Sequence, residues 1–491
     1  MKSEYYNNSC ISYPWWLIAG PAITGNILIV GKMDQGDICL LSVISSSITC
    51  LDLTDSLDSI ASSKFDLIYL VTGSRNNAAL HNSLSIILIS ALSNTGLLVV
   101  YGHKMKSTIL QSLIRFSLPC IAYSNLPSEA YSKGAYTSNK NQCLLKEKLK
   151  NIILNTSLHK IFIKNYLQIY SPASNPVTLI SELNRIIQNE VPSVTSDIAI
   201  PLLSKIYFKY GKLIITYTGN KHTDDIVIVL PTDRSALIQR TNEKITLDSL
   251  RKISTINNLL VSFYIETEVV GFRACIMENT HGNTVDEPCK NIDIMIKKAF
   301  LCILNLSNAT KIGNHTAITL STKIQTYIDK FNLKMHKFNI VIRQNSLKIS
   351  NKLDGIPVIC MHGDLKLENF VIDYKNDVNK IIDWELSELD GLPLLDLFYF
   401  IAYNDHIINK TGLNEAIYNL SLYENNPEHT LMLKTYSEKN HINTDQIKLL
   451  YAVFFIHHFA FRIELDNISE YDMSSLKSNF DTNVASVLGI D

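Results

Sequence analysis

Four short apolar runs rich in β-branched residues recur in the first part of the chain: GNILIVG, SSITCLDL, FDLIYLV and GLLVVYGH. Runs of this length without polar interruption suit strands of a parallel sheet, which must be covered on both faces. The stretch NNAALHNSLSIILISALSN before the fourth run predicts a helix, with its final Asn and the Gly that follows acting as the stop signal. Strands alternating with helices predict a doubly wound α/β sheet over about 15–135. A Lys-rich polar segment around 138–165 follows, and SPASNP (171–176) predicts a linker.

The pattern changes from 176 onward. PVTLISELNRIIQ predicts a helix, and KIYFKYGKLIITYTG and DDIVIVLP predict strands that short turns make antiparallel. SALIQRTNEKITLDSLRKI predicts a second helix, and LVSFYIET and GFRACIMEN predict two more strands. After HGNTVD the chain is mainly helical, interrupted by NFVID and KIIDW, which predict a β-hairpin around the polar tip YKNDVN. No internal repeat or low-complexity tract is visible.

Composition narrows the class. At 491 residues the chain exceeds one compact core and predicts two or three domains. It is 46% hydrophobic and 19% charged with a net charge of −1, which fits an ordinary globular protein and no nucleic-acid-binding surface. MKSEYYNNSCISYPWW makes a poor signal peptide. The apolar candidates LSIILISALSNTGLLVVYG and LLYAVFFIHHFAFRI carry polar interruptions that a bilayer core disfavours, so no membrane span is expected. Nine scattered cysteines without a C-x-x-C spacing predict a reduced, cytoplasmic protein with buried thiols and no zinc knuckle.

Candidate chemistry concentrates in CMHGDLKLENFVIDYKNDVNKIIDWE (360–385). The predicted hairpin brings Asn369, just before its first strand, near Asp383 at the end of its second. Their side-chain oxygens are hard donors of the kind magnesium takes together with phosphates and water. Asp364 in the preceding loop is placed to accept a proton from an attacking hydroxyl, and Lys366 to offset phosphate charge. This combination predicts phosphoryl transfer.

MHGDLKLENF followed by IIDWE resembles the signature of the aminoglycoside phosphotransferase and choline kinase-like families, relatives of protein kinases, in which H-G-D-x-x-x-x-N precedes a hydrophobic pair and D-W/F-E. His362, Gly363, Asp364 and Asn369 match it, as do Asp383, Trp384 and Glu385. ELDGLPLLDL continues the likeness through Gly391, Pro393, Asp396 and Leu397, and CIMENTHGNTV (275–285) is similar to the hinge strand. The resemblance implies a two-lobed kinase-like fold, with Asp364 as base, Asn369 and Asp383 as magnesium ligands, and Lys366 meeting the transferred phosphate. His362 then braces the loop, and the backbone of Met277, Glu278 and Asn279 receives the adenine of ATP. Gly stands where Ser/Thr kinases have Arg before the Asp, and no D-F-G or A-P-E element is present, which favours a small-molecule acceptor. The third strand of these kinases carries a Lys that grips the phosphates, and here that position falls on Val229. Lys205, Lys209, Lys212 and Arg240 are candidate replacements, and Glu243 is the candidate helix Glu or else a surface residue. YTGNKH (217–222), with its single Gly, reads as a hairpin turn.

The N-terminal part resembles a class I S-adenosylmethionine-dependent methyltransferase. The likeness implies cofactor contact at the turn holding Gly31 and Gly36, with Asp52 or Asp55 ending the second strand as the ribose-binding acid. VGKMDQGD retains only Gly31, Asp34 and Gly36 of the usual Gly-rich motif, so a sheet kept for packing or partner contact is the competing reading. Trp15 and Trp16 are expected to pack on this sheet. The adjacent His457 and His458 point about 100° apart on a helix, so core or substrate-wall roles are expected rather than one metal site. LFYFIAY (397–403) is expected in the core. From Leu397 to the end, twelve Asp and Glu face six Lys and Arg, which suits a cationic acceptor or a solvated acidic face.

The expected architecture is multidomain α/β plus α+β. A Rossmann-like, methyltransferase-type domain (1–170) precedes a kinase-like small nucleotide lobe (176–280) and a large, mainly helical catalytic and acceptor lobe (281–491). The expected activity is ATP- and magnesium-dependent phosphorylation of a small-molecule hydroxyl, on a sugar, amino sugar or amino alcohol. The alternatives are a nucleotide-binding pseudokinase and a bifunctional methyltransferase-kinase.

Overall fold

The protein is described from a computed structural model covering residues 24–31, 35, 38, 41–42, 45–51, 60, 63–71, 87–103, 114–122, 127–131, 165–171, 173, 177–191, 202–209, 211–218, 225–262, 264–269, 271–280, 285, 289, 291–336, 340–343, 346–373, 375–461 and 470–488. Two compact units form: 1–240 with 262–279, and 241–261 with 280–491.

The first unit is built on one sheet. Strands β1 (Asn26–Val30), β2 (Ser47–Leu51), β3 (Phe65–Val71) and β4 (Leu92–His103) are parallel, in the order β2-β1-β3-β4. Beyond β4 come β7 (Asn165–Tyr170), antiparallel to it, then β5 (Ile114–Ala122) and β6 (Pro127–Tyr131). The ladder then passes to β8 (Leu202–Lys209), paired with β6 through Glu129↔Tyr207, and on to β9 (Lys212–Thr218), β10 (Ile226–Pro231), β12 (Phe272–Glu278) and β11 (Tyr264–Val269).

The reason for this continuity lies in helix α1 (Leu179–Glu190). Thr178 caps it: its side chain accepts from Ser181 N at 3.2 Å, while Ser181 Oγ accepts from Thr178 N at 2.7 Å. Leu179, Leu183, Ile186 and Ile187 then form one buried stripe in a core that includes Ile27, Ile29, Leu67 and Val99 of the parallel part. The same core includes Ile206, Leu213, Ile228 and Ile276 of the antiparallel part. Each such side chain contributes about 2 kcal/mol of burial, so one helix ties both regions to a common interior. Ser171, in the segment read as a linker, is fully buried and donates to Gly96 O at 2.9 Å.

The helix expected before β4 ends earlier than its Asn and Gly signal. Residues 87–91 are helical and β4 begins at Leu92, because Leu92 pairs with Phe65 and Ser93 Oγ donates to Asp66 Oδ1 at 3.1 Å. Strand β7 falls between the polar segment and the segment read as a linker, where no strand was expected. The opposite face of the parallel strands buries Leu28, Val30, Ile68, Leu70, Leu98 and Val100 with Leu88 and Ala91, as a sheet covered on both sides requires. Trp15 and Trp16 lie outside the described residues.

Helix α2 (Arg234–Leu250) contributes its second half to the second unit. There α3 (Ile292–Thr310), α4 (Ala317–Met335) and α5 (Ser346–Lys352) accompany a small sheet of β13 (Gly313–Asn314), β14 (Pro357–Met361) and β17 (Glu388–Gly391). The predicted hairpin is β15 (Phe370–Ile372) and β16 (Val378–Ile381). Helices α6 (Leu395–Asn409), α7 (Leu413–Asn419), α8 (Pro427–Asn440), α9 (Thr444–Phe461) and α10 (Glu470–Asn479) complete the unit. Phe398 and Phe400 of the aromatic run are fully buried, as expected. Among the described residues no helix is long and apolar enough to cross a membrane.

Candidate active site

β14 delivers the chain into the His-Gly-Asp turn, which α6 clamps from below. Asp396 accepts from His362 N at 2.6 Å and from Gly363 N at 2.9 Å, one carboxylate oxygen for each. Gly363 has φ 82, and a Cβ there would lie 2.0 Å from Leu386 O, so only glycine fits. His362 is fully buried. Its Nδ1 accepts from Asp364 N at 3.3 Å and its Nε2 faces Ile382 O at 2.9 Å, which fixes the neutral Nε2–H tautomer donating to that carbonyl. Its ring lies 4.6 Å from that of Trp384. The ring thus bonds the backbone at both Asp364 and Ile382.

A short 3₁₀ turn (Leu367–Asn369) carries the chain from Asp364 into β15. Asn369 Nδ2 donates to Asp364 O at 2.8 Å and to Asp364 Oδ2 at 3.3 Å. Phe370 pairs with Ile381, and Ile382 N donates to Asn369 O at 3.0 Å, so the hairpin sets Asp383 one residue from the backbone of Asn369. Asp383 is exposed and left-handed (φ 70, ψ 53), a conformation that re-aims the chain out of β16. Lys366 Nζ lies 3.9 Å from Asp364 Oδ2 and 2.8 Å from Glu368 Oε2. Burial pushes this ammonium down, but Asp364 and then Glu368 outweigh it, so its pKa is raised and it remains a cation.

Several supports carried no local sequence signal. Asn242 of α2 donates to Glu385 O at 3.0 Å and Ser387 O at 2.8 Å, and Ser387 Oγ bonds Thr246 Oγ1 at 2.7 Å. These bonds hold the turn that follows Asp383. Asp396 was visible only as part of a matched D-L pair, and Tyr403, bonded through its hydroxyl to Glu368, only as part of an apolar run.

Met277, Glu278 and Asn279 lie in the first unit at the end of β12. Met277 is 8% exposed and pairs with Val227, Glu278 accepts from Ser262 N at 2.5 Å, and Asn279 N donates to Asp225 O at 2.9 Å. Val229 packs with Cys275 and Met277, flanked by Ile214, Val227 and Tyr264. Sheet register puts Lys205, opposite Thr216, and Lys212, opposite Pro231, on the same face as Val229, because cross-strand partners share a face. Lys205 Nζ sits 4.3 Å over the Tyr207 ring. Glu243, on α2, is 3% exposed, which removes the reading of it as a surface residue.

Gly31 follows β1 with φ 101 and donates its N–H to Leu51 O at 2.9 Å. Gly36 and Asp52, with Asp34 and Asp55, lie outside the described residues, as do residues 219–222 of YTGNKH. His457 and His458 are buried on α9, and among the described residues no group of three or more His, Cys, Asp or Glu side chains could hold a metal.

No family model matches the chain, and no curated protein matches it. Among solved structures it is similar to a choline kinase from Streptococcus pneumoniae, at 14% identity and TM-score 0.37 over 62% of this chain and 99% of that one. A Plasmodium vivax ethanolamine kinase gives 15% identity and TM-score 0.37 over 71% and 97%. An aminoglycoside phosphotransferase from Alicyclobacillus acidocaldarius gives 10% identity and TM-score 0.33 over 65% and 96%.

Proposed function

We propose that the protein is an ATP- and magnesium-dependent phosphotransferase acting on a hydroxyl of a small molecule. The observation that carries this reading is the Asp364–Asn369 pair, built on a loop that Asp396 and His362 hold rigid, with Asp383 brought alongside by the hairpin. In this reading Asp364 orients the acceptor hydroxyl and takes its proton. Lys366 lends positive charge to the transferred group. The Asn369 amide turns its nitrogen toward Asp364, which leaves its oxygen, with the exposed Asp383 carboxylate, as a hard donor set suited to magnesium. Bound there, magnesium would neutralise phosphate charge. Met277, Glu278 and Asn279 remain the proposed base-contacting positions on the strength of the sequence resemblance alone. Lys205 and Lys212, sharing the face of Val229, are the proposed phosphate-binding cations of the first unit. The acidic surplus after Leu397 favours a cationic acceptor such as an amino alcohol or amino sugar.

Two further readings have an observation each. Val229 in an apolar cluster, where the resemblance calls for a phosphate-gripping Lys, favours a nucleotide-binding pseudokinase. The order β2-β1-β3-β4-β7-β5 with only β7 reversed, and Gly31 at the carboxyl end of β1 where the strand order switches, favours a methyltransferase-like first domain that binds S-adenosylmethionine. ATP turnover against a panel of amino alcohols, sugars and aminoglycosides, with magnesium-dependent thermal stabilisation by ATP, separates these readings. Turnover with an acceptor supports the phosphotransferase, stabilisation without turnover supports the pseudokinase, and saturable S-adenosylmethionine binding to the full chain supports the methyltransferase-like reading.

A further inference from the structure

A second cluster of ionisable side chains, away from the His-Gly-Asp loop, forms in the second unit where α4, α9 and β17 meet. Glu388 of β17 divides its two carboxylate oxygens. Oε2 takes the Tyr327 hydroxyl at 3.0 Å and the Lys323 ammonium at 2.7 Å, both from α4. Oε1 faces His457 Nε2 of α9 at 3.8 Å. Lys323 also lies 2.9 Å from Asp390 Oδ1, so one ammonium serves two carboxylates. The His457 ring is buried, 4.8 Å from the Tyr327 ring and stacked on Phe461 at 4.9 Å. Three further groups face this cluster. Lys330 of α4, exposed, sits 4.0 Å over the Phe461 ring. His315, ahead of α4, has Nε2 3.2 Å from Gly391 O, and burial lowers its pKa and keeps it neutral. Burial raises the Cys360 thiol of β14 and likewise keeps it neutral.

Burial by itself disfavours a charged imidazole, whereas a carboxylate within about 4–6 Å favours it. Lys323 leaves Glu388 and Asp390 with a negative excess, which a proton on His457 cancels, and the Phe461 face also favours a cation. We propose that His457 and Glu388 form a proton-dependent tie between α9 and β17, closed while His457 carries a proton and slack once it is lost. β17 begins directly after Ser387, which bonds Asn242 and Thr246 of α2, so the tie secures the strand that leaves the turn beyond Asp383. A folded state that prefers the protonated ring holds this stabilisation fully below about pH 6.5, the free imidazole value, and loses it as pH rises through the folded midpoint. The tie does not depend on what the chain catalyses.

Nuclear magnetic resonance on the full chain with labelled histidine reads the proton on His457, its signal assigned by its loss in His457→Gln. The wild-type titration midpoint is expected above that of free imidazole, about 6.5. In Glu388→Gln it falls by about one unit or more, because a neutral amide replaces the carboxylate. The ratio of folded to unfolded chain in urea, wild type over His457→Gln, is expected to be about tenfold larger at about pH 5.5 than at about pH 8.5. A His457 midpoint at or below that of free imidazole, or one that Glu388→Gln leaves in place, overturns the proposal. So does a stability difference between wild type and His457→Gln that is the same at both pH values, since packing of the ring alone would give that result. Should Glu388→Gln not fold, Lys323→Met removes the competing cation and is expected to raise the midpoint in the same measurement. An unmoved midpoint in Lys323→Met overturns the proposal as well.

Discussion

The Asn369 side chain binds Asp364 twice, donating from one nitrogen to the backbone carbonyl at 2.8 Å and to the carboxylate at 3.3 Å. That contact is a neutral amide donor. Asn369→Asp would replace it with a second carboxylate, and like charges so close push one carboxyl upward in pKa. The proposed base would then be protonated, and activity lost, at higher pH than in wild type. A pH–rate profile whose acidic limb rises by about one unit or more is the expected result.

Asp383 is the exposed member of the proposed metal pair. Removing its carboxylate in Asp383→Ala leaves only the Asn369 oxygen and is expected to abolish the magnesium-dependent part of ATP binding. Calorimetry with and without magnesium reads this directly, and unchanged heats would count against Asp383 as a ligand.

Asp396 satisfies two buried backbone N–H groups at once. Asp396→Ala strands both, at a cost of about 1–3 kcal/mol for each buried donor left unmade. Gly363→Ala forces a Cβ to within 2.0 Å of Leu386 O at φ 82 and is expected to cost at least about 1–3 kcal/mol. Urea unfolding midpoints of the two variants measure these losses, and a midpoint equal to wild type would show that the loop relaxes freely.

Glu388 supplies an acid-sensitive contact away from Asp364. Burial pushes its carboxyl up, but His457 and Lys323, whose Nζ lies 2.7 Å from Oε2, outweigh burial and hold it down to about 2. Because the folded pKa lies below the unfolded one, the stabilisation is fully present above about pH 4.5 and is lost as pH falls toward 2. The loss amounts to about 3 kcal/mol. Glu388→Gln should be less stable than wild type at pH 6 and should lose less stability on acidification. Denaturant unfolding from pH 6 to pH 2.5 measures both slopes.

Local pattern made much of the fold legible. The β-branched runs became β1–β4, the closely spaced runs after residue 200 became β8–β12, and the hairpin after Asn369 formed where NFVID and KIIDW placed it. The stop signal at Asn94 failed because Leu92 and Ser93 find partners in β3, a tertiary effect that outweighs local preference. The bond from Asn242 to Glu385, 143 residues away, and that from Tyr403 to Glu368, 35 away, join positions no spacing rule connects. The common face of Lys205, Lys212 and Val229 was within reach, since strand parity alone assigns it once the register is known. His362, Asp364 and Asn369 stood out because they fall within eight residues at the H-G-D-x-x-x-x-N spacing.

Whether Asp364 is a base can be asked of one variant. With ATP, magnesium and an acceptor that wild type phosphorylates, Asp364→Asn should turn over at least about a hundredfold more slowly, since the amide cannot take the proton. Its nucleotide affinity should be close to wild type. Turnover equal to wild type in Asp364→Asn would contradict the assignment on which the proposed site depends.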